Sequence, residues 1–218
     1  MLDKQFGSAG DRIVIEEFMT GREVSVLSFV DGHTIKIMTS AQDHKRAKDG
    51  DQGLNTGGWE HFHPAHSIRT RWMHSAEVCV PANRGRHEGR GREFKGIIFF
   101  GLMLTENGPK VLEYNARFGD PETQVVLPRM KNDIVDVFEA CVDGTLDQIE
   151  LEFEDNAAVC VVLASDGYPE HYEKGYKIDG LDRFDGQDGY YVFHAGSKFD
   201  KDGNVVTTAE GCWGLRQK

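Results

Sequence analysis

The sequence predicts an α+β fold, in which a lobe of β-hairpins with one helix precedes a small β-rich unit. Apolar and polar residues alternate before residue 40 and again over residues 96–115, which indicates paired strands. One stretch of helical spacing follows at residues 134–141. From about residue 149 the chain changes to short strands broken by Gly, Asp and Pro turns. We therefore expect a first lobe over residues 12–148 and a second unit over residues 149–218.

Size and charge restrict the class of protein. The 218 residues, 39% of them hydrophobic, are enough for one large domain or two small ones. A formal charge of −11 argues against a protein that binds nucleic acid or an anionic membrane. No apolar run reaches the roughly 18 residues of a membrane span, and no signal peptide is evident at the start. The four cysteines form no Cys-x-x-Cys pair, so we expect a cytoplasmic protein with reduced thiols.

The first lobe begins with β-rich sequence. The β-branched, apolar run within residues 12–18 predicts a strand. Residues 23–30 and 33–38 alternate with period two around an Asp31-Gly32 turn, which predicts a hairpin. A charged, Gly-rich loop follows over residues 42–58, and loops of that length in a compact domain are usually functional or mobile.

A second hairpin carries a candidate metal site. Two β-rich runs, residues 96–104 and 110–115, are joined by a turn that contains Asn-Gly. Glu113 and Asn115 are two residues apart and point to the same face, where their oxygens suit Mg²⁺ shared with a nucleotide phosphate. Arg117 would bring a guanidinium to the same anion. From the spacing alone, an ordinary solvated strand face is the more common explanation, since any half-buried strand alternates in this way.

A helix and a set of short strands complete the prediction. Apolar residues at positions 134, 137, 138 and 141 follow helical spacing, either Asn132 or Asp133 can cap the start, and Gly144 stands where the helix should end. The strands predicted for the second unit are residues 157–164, 190–194 and 204–207.

The segment RFGDPETQ at residues 117–124 resembles the signature octapeptide of the phosphoribosylamine–glycine ligase family, ATP-grasp enzymes of purine biosynthesis. The resemblance covers most of the chain. It implies the C-terminal part of an ATP-grasp fold followed by a small β-rich domain, with residues 1–11 as a remnant of the ATP-covering lobe. The implied reaction uses ATP to make glycyl phosphate, which 5-phosphoribosylamine attacks to give glycinamide ribonucleotide. The implied partners are these small molecules and, in eukaryotes, fused domains of the same pathway.

The resemblance also implies where ATP binds. The residues that resemble the family's adenine-holding hinge are Glu16, Glu17, Phe18 and Met19. Glu23 resembles the carboxylate that binds the ribose hydroxyls. The charged loop at residues 43–46 lies beside the active site in the family, so Lys45 is a candidate for neutralising phosphate charge. Without the resemblance, these residues also fit a strand end with solvated acids and a charged surface loop.

Roles in metal binding and catalysis follow in the same way. Glu113 and Asn115 would hold Mg²⁺ or Mn²⁺, and Arg117 is a candidate for stabilising the transferring phosphoryl group or the acyl phosphate. Asp120 and Glu122 are candidates either for substrate contact or for fixing the loop that carries Arg117.

Two segments depart from the family pattern. Residues 59–92 and 211–218 lose it abruptly, and we interpret both as frame-shifted translations of family sequence, a hypothesis that resequencing the DNA would test. His61, His63 and His66 with Glu60 have spacing that suits a metal, but on this hypothesis the cluster is accidental. With these segments altered and the phosphate-covering lobe missing, we expect this chain by itself to be inactive as a ligase.

The sequence leaves two alternatives open. One is another ATP-grasp carboxylate–amine ligase with a different acid and amine, against which the octapeptide argues. The other is a non-catalytic domain that binds a nucleotide or a partner protein.

Overall fold

The computed structural model describes residues 8, 11–43, 46–48, 50, 52–55, 60–62, 93–168, 170–208 and 212–217. In chain order, the strands of these residues are β1 (Arg22–Asp31), β2 (Ile35–Ile37), β3 (Gln42–Asp43), β4 (Arg46–Lys48), β5 (Gln52–Asn55), β6 (Glu60–Phe62), β7 (Lys95–Thr105), β8 (Gly108–Asn115), β9 (Ala158–Leu163), β10 (Tyr190–His194), β11 (Ser197–Phe199), β12 (Val205–Thr207) and β13 (Cys212–Gln217). The α-helices are α1 (Glu122–Val126) and α2 (Ile134–Asp143). Within these ranges, no helix is long and apolar enough to cross a membrane.

The two predicted hairpins are confirmed, and together they form one antiparallel sheet in the order β2-β1-β7-β8. The first hairpin turns at Asp31, whose carboxylate accepts hydrogen bonds from the backbone N–H groups of His33 and Thr34. Gly32 adopts φ 96°, a conformation that residues with a side chain rarely take. Strands β1 and β7 then pair along the whole of β1, so the two hairpins lie side by side.

Each face of this sheet carries a different apolar cluster, because neighbouring side chains along a strand point to opposite faces. One face carries Val24, Val26, Phe100 and Leu102. The other carries Leu27, Phe29, Ile97 and Phe99, and it packs with apolar residues of α1, α2 and β9. The helices therefore cover one end of the second face.

Helix α2 forms where the spacing predicts it. The carboxylate of Asp133 accepts a hydrogen bond from the backbone N–H of Val135, and Gly144 ends the helix with φ 75°. Of the two caps that the sequence allowed, the structure uses Asp133, whereas Asn132 bonds instead to backbone groups of residues 150 and 152. Val137 on the inner face is fully buried.

A five-stranded sheet, in the order β10-β13-β9-β6-β3, joins strands from both predicted units. The short strands β3 and β6 lie in the first lobe and pair with the second unit through β9, so the boundary near residue 149 stays a prediction. Residues 212–217, in the segment interpreted as frame-shifted, form β13 between β9 and β10. The frame-shift itself also stays a prediction.

Two predictions about the early chain were wrong. The interval 42–58 is not a continuous loop, since it contains β3 and the antiparallel pair of β4 and β5. Residues 12–18 were expected to form a strand, but the described chain is irregular until β1 begins at Arg22. A strand needs a hydrogen-bonded neighbour, and no described strand pairs with this segment. Its apolar side chains are accordingly exposed, with Ile15 at 87% and Phe18 at 89%.

Candidate active site

Three rows of paired residues cross β1, β7 and β8 on the face that carries Leu27 and Phe99. Residues opposite each other in antiparallel strands share a face, which brings distant parts of the sequence together. The rows join Glu23 with Met103 and Lys110, Ser25 with Gly101 and Glu113, and Leu27 with Phe99 and Asn115. The metal candidates and the ribose candidate therefore lie on one face, within three neighbouring rows.

A β-bulge in β8 determines which residue stands opposite Gly101. Val111 pairs with Leu102, but Gly101 pairs with Glu113, so Leu112 is an extra residue in β8. Bulges of this kind redirect the side chains that follow them. Without the bulge, Glu113 would not share a face with Lys110, which lies three residues earlier.

Glu113 extends over the neighbouring strand because Gly101 leaves room for it. A Cβ atom built on Gly101 would lie 2.9 Å from Cγ of Glu113 and 3.5 Å from its Oε1. The carboxylate of Glu113 therefore lies above β7, on the side of the row that leads to Ser25 on β1.

Glu113 and Asn115 fit a hard divalent cation. Glu113 is exposed and Asn115 is half-buried. The described part of the chain contains no group of three or more His, Cys, Asp or Glu side chains that could hold a metal by itself. One carboxylate and one amide oxygen match the usual coordination of Mg²⁺. This ion binds one or two protein oxygens and takes its other ligands from phosphates and water.

The loop that follows β8 is tied into the core by an aromatic ring. Phe118 packs edge-on against Phe29 and Phe138, with ring centroids 6.5 Å and 6.3 Å away. Arg117 is exposed, and its Nη1 donates to the carbonyl oxygen of Phe118 at 2.8 Å. The guanidinium is therefore held against the backbone of its own loop.

The rest of the loop folds back on itself before helix α1. Asp120 is exposed, and its Oδ1 accepts a hydrogen bond from Nε2 of Gln124 at 2.7 Å. The hydroxyl of Thr123 donates to the carbonyl oxygen of Gly119. The peptide bond between Asp120 and Pro121 is cis. The two hydrogen bonds fix the local shape of the loop.

Glu122 is buried, with 5% of its surface exposed, and Oγ of Ser25 donates to its Oε1 at 3.0 Å. Its other carboxylate oxygen lies over Gly119, where any side chain would collide with it. Of the two roles that the sequence allowed, this geometry favours fixing the loop over substrate contact. Sequence analysis missed Ser25, although a hydroxyl on the inward face of an apolar strand is the signal that could have indicated it.

An ion pair links the predicted adenine-binding hinge, residues 16–19, to the sheet. Glu16, Glu17 and Phe18 are exposed and Met19 is half-buried. Nζ of Lys110 contacts both carboxylate oxygens of Glu17, at 2.6 Å and 2.7 Å. Lys110 was not predicted as a site residue, and it shares its row with Glu23.

The turn between the hinge and β1 passes close to the end of β7. A Cβ atom on Gly21 would collide with the carbonyl oxygen of Leu104, so only glycine fits there. The structure thus brings Glu17 and Glu23 to the same end of the sheet. Lys45 lies outside the described residues, as do His63 and His66.

The antiparallel sheet brings Glu113, Asn115 and Glu23 to one face, with residues 16–19 beside its edge, an arrangement expected of the ATP-grasp class. Comparison with known families specifies it further. The model of the phosphoribosylglycinamide synthetase ATP-grasp (A) domain matches residues 1–123, and that of the C domain of the same synthetase matches residues 158–211. The first match covers more than half of the chain, which therefore belongs to the phosphoribosylglycinamide synthetase family. The family and fold predicted from the sequence are confirmed.

Individual relatives agree with this family. The phosphoribosylamine–glycine ligase of Halalkalibacterium halodurans is 47% identical over 221 residues, which cover 98% of this chain and 50% of the relative. The chicken trifunctional purine biosynthetic protein adenosine-3 is 47% identical over 209 residues, covering 95% of this chain and 21% of that protein. The crystal structure of the phosphoribosylamine–glycine ligase of Thermotoga maritima superposes with a TM-score of 0.79 at 33% identity, covering 93% of this chain and 49% of that one.

The chain thus spans about half the length of the curated phosphoribosylamine–glycine ligases that it matches.

Proposed function

We propose that this chain is the metal-binding half of an enzyme that uses ATP to join glycine to 5-phosphoribosylamine, giving glycinamide ribonucleotide. The observation that carries the proposal is the position of the octapeptide loop at residues 117–124, which adjoins the row containing Glu113 through the bond between Ser25 and Glu122. Membership of the phosphoribosylglycinamide synthetase family supports the choice of acid and amine.

In this proposal the nucleotide lies across the exposed hinge, with its adenine near residues 16–19 and its ribose near Glu23. The ion pair between Lys110 and Glu17 supports this placement, because it holds the hinge against the same face as Glu113. Lys45 is kept as a candidate for neutralising phosphate charge. We propose ATP with Mg²⁺ or Mn²⁺ as the cofactors.

Glu113 and Asn115 would hold the divalent cation, which would supply Lewis-acid chemistry at the nucleotide phosphates. Arg117, fixed by its bond to the carbonyl of Phe118, would stabilise negative charge on the transferring phosphoryl group. Asp120, oriented by Gln124, would contact the amine substrate or stabilise the loop. These residues bind, orient and stabilise charge, which is the main contribution a protein makes to phosphoryl transfer.

The reaction has two steps. The glycine carboxylate takes the γ-phosphoryl group of ATP, so that ADP leaves and an acyl phosphate forms. The amine nitrogen of 5-phosphoribosylamine then attacks the acyl carbon, phosphate leaves, and the nitrogen loses a proton as the amide forms. We assign no residue as the base that accepts this proton.

The setting of the enzyme is part of the proposal. We propose a cytoplasmic location, which the free thiols of Cys141 and Cys160 support.

The name of the chicken relative, a trifunctional protein, supports the expectation that such ligases also occur fused to other purine-pathway domains. We also propose that this chain alone lacks ligase activity, since it spans about half the length of its relatives. Formation of glycinamide ribonucleotide by the purified chain would contradict that.

Calorimetric titration with Mg·ATP tests the site. The purified chain, Glu113→Ala and the matched control Glu106→Ala should be compared, because Glu106 is an exposed glutamate at the turn of the same hairpin. We expect binding by the unmodified chain and by Glu106→Ala, and a loss of affinity on the order of a hundredfold for Glu113→Ala. Equal affinities for all three proteins would refute the assignment of Glu113 and Asn115, the metal corner, as ligands of the cation. No binding by the unmodified chain would contradict the proposed nucleotide site.

A further inference from the structure

Ser25 connects two parts of the candidate site that are 97 residues apart in the sequence. We propose that Ser25 is a positioning residue: its hydroxyl holds Glu122, and through it the octapeptide loop, in place beside the metal corner. This inference rests on the proposed function, because it concerns the same loop and the same metal ligands.

The hydroxyl of Ser25 is presented by a strand that is hydrogen-bonded on both sides. The backbone N–H and carbonyl of Ser25 bond to Ala41 on one side, each at 2.9 Å, and Ser25 pairs with Gly101 on the other. Only 6% of Ser25 is exposed. A donor fixed in this way can define the position of the group that accepts from it.

The acceptor is a buried carboxylate that depends on such donors. Removing an ionised carboxylate from water is costly unless hydrogen bonds replace the lost hydration. Glu122 is enclosed between β1 and the loop, with one oxygen on Ser25 and the other over Gly119. Its place at the first residue of helix α1 means that a shift of this side chain would move the start of the helix and the loop before it.

The pairing of residues across the sheet explains why Glu113 would be affected by loss of the Ser25–Glu122 bond. Ser25, Gly101 and Glu113 are direct neighbours across three strands, and the Glu113 side chain lies over Gly101. The Ser25–Glu122 bond therefore ties the loop that carries Arg117 to the row that carries Glu113. Phe118 anchors the loop to the core, and the bond between Thr123 and Gly119 lies within the loop itself.

The test compares three substitutions in the same strand. Ser25→Ala removes the hydroxyl, Ser25→Thr keeps it, and Ser28→Ala is the matched control. Ser28 is also fully buried in β1, but it lies on the opposite face, and its Oγ has no hydrogen-bond partner among the described residues. The readouts are the affinity for Mn²⁺ with ATP, by electron paramagnetic resonance, and the hydrogen exchange of the amides of Thr123 and Gln124.

We expect Ser25→Ala to weaken Mn²⁺ binding on the order of tenfold and to speed exchange of the loop amides, while exchange in helix α2 is unchanged. Ser28→Ala should leave both readouts at the level of the unmodified chain, and Ser25→Thr should restore them. A purely structural role would lower the melting temperature without this separation between loop and helix.

The outcomes separate this inference from the proposed function. If the unmodified chain binds no Mn²⁺ with ATP, the proposed function loses its support, but loop exchange still decides the role of Ser25. If Ser25→Ala matches Ser28→Ala in loop exchange, the inference is overturned. Should Ser25→Ala fail to fold, Glu122→Gln replaces it, because it keeps the shape and weakens the bond. Unchanged loop exchange in Glu122→Gln would equally overturn the inference.

Discussion

Gly101 lies beneath the side chain of Glu113, and the space left by the missing side chain holds the candidate metal ligand. A Cβ atom at this position would approach Cγ of Glu113 to 2.9 Å, closer than two carbon atoms can pack. The position and conformation of Glu113 therefore depend on a residue in the neighbouring strand.

The substitution Gly101→Ala should push the carboxylate of Glu113 away from β7 and weaken binding of Mg·ATP on the order of tenfold. The backbone of Gly101 is not in the left-handed region, so alanine should not strain the strand and should leave thermal stability nearly unchanged. Calorimetry and a melting curve measure the two effects separately.

A double-mutant cycle controls for indirect effects of Gly101→Ala. If alanine acts through Glu113, adding it to Glu113→Ala should cause no further loss of affinity. A further tenfold loss in the double variant would show that Gly101 acts by another route.

Loss of the ion pair between Lys110 and Glu17 should lower the affinity for ATP but hardly change the free energy of unfolding. Both side chains are substantially exposed, at 37% and 67%, so Lys110→Met should change the free energy of unfolding by no more than about 0.5 kcal/mol. The hinge would lose its link to the sheet, and affinity for ATP should fall.

Lys131→Met is the matched control for Lys110→Met. Lys131 is an exposed lysine paired with Glu154 at 3.9 Å, and neither residue belongs to the rows or the loop of the candidate site. It should have an equally small effect on stability and none on ATP affinity. Equal ATP affinities for the two variants would argue against a role of the hinge in binding.

Local sequence patterns were sufficient to predict the hairpins and helix α2. Their signals lie within a few residues of the structure they determine: alternation along β1, an Asn-Gly turn before β8, and the caps Asp133 and Gly144. The shared face of Glu113 and Asn115 is also local, because they are two residues apart in one strand. These features needed no knowledge of the rest of the chain.

The features that sequence analysis missed depend on contacts between distant residues. Residues 12–18 have the composition of a strand, but pairing requires a neighbour that composition cannot supply. The contact of Glu113 with Gly101 depends on the extra residue Leu112, and the Ser25–Glu122 bond depends on where the loop returns to the sheet. No pattern within either segment indicates such a register.

The buried carboxylate of Asp31 predicts a specific pH dependence of stability. Burial would raise its pKa, but hydrogen bonds from the backbone N–H groups of Thr34, His33 and Leu146 outweigh burial and hold the pKa below its usual value. The unfolded chain therefore binds this proton more readily than the folded protein. The stabilisation is complete above about pH 4, the ordinary pKa of Asp, and is lost as the pH falls through the folded value.

Asp31→Asn should lower the free energy of unfolding by about 1–3 kcal/mol near neutral pH, because an amide cannot accept all three bonds. The difference from the unmodified chain should shrink as the pH falls below about 4. Urea unfolding curves at a series of pH values measure this. A difference that is the same at every pH would show that the carboxylate charge is not responsible.

The thiol of Cys160 lies on the inner face of β9 and is fully buried. Burial, with a smaller effect from the negative charge of Asp120, raises the pKa of Cys160 to about 12. Because only the thiolate reacts with alkylating reagents, we expect no modification of native Cys160 by iodoacetamide at about pH 8. Alkylation of native Cys160 should remain absent at about pH 9, although most of an ordinary thiol is ionised at that pH.

Peptide mapping by mass spectrometry identifies the modified cysteine, and the same chain in urea is the control in which Cys160 should react fully. Burial also raises the pKa of Cys141, so its peptide should be protected in the folded protein as well. Rapid labelling of native Cys160 would mean that β9 opens readily. The five-stranded sheet, in which β9 pairs with both β6 and β13, would then not be a stable part of the fold.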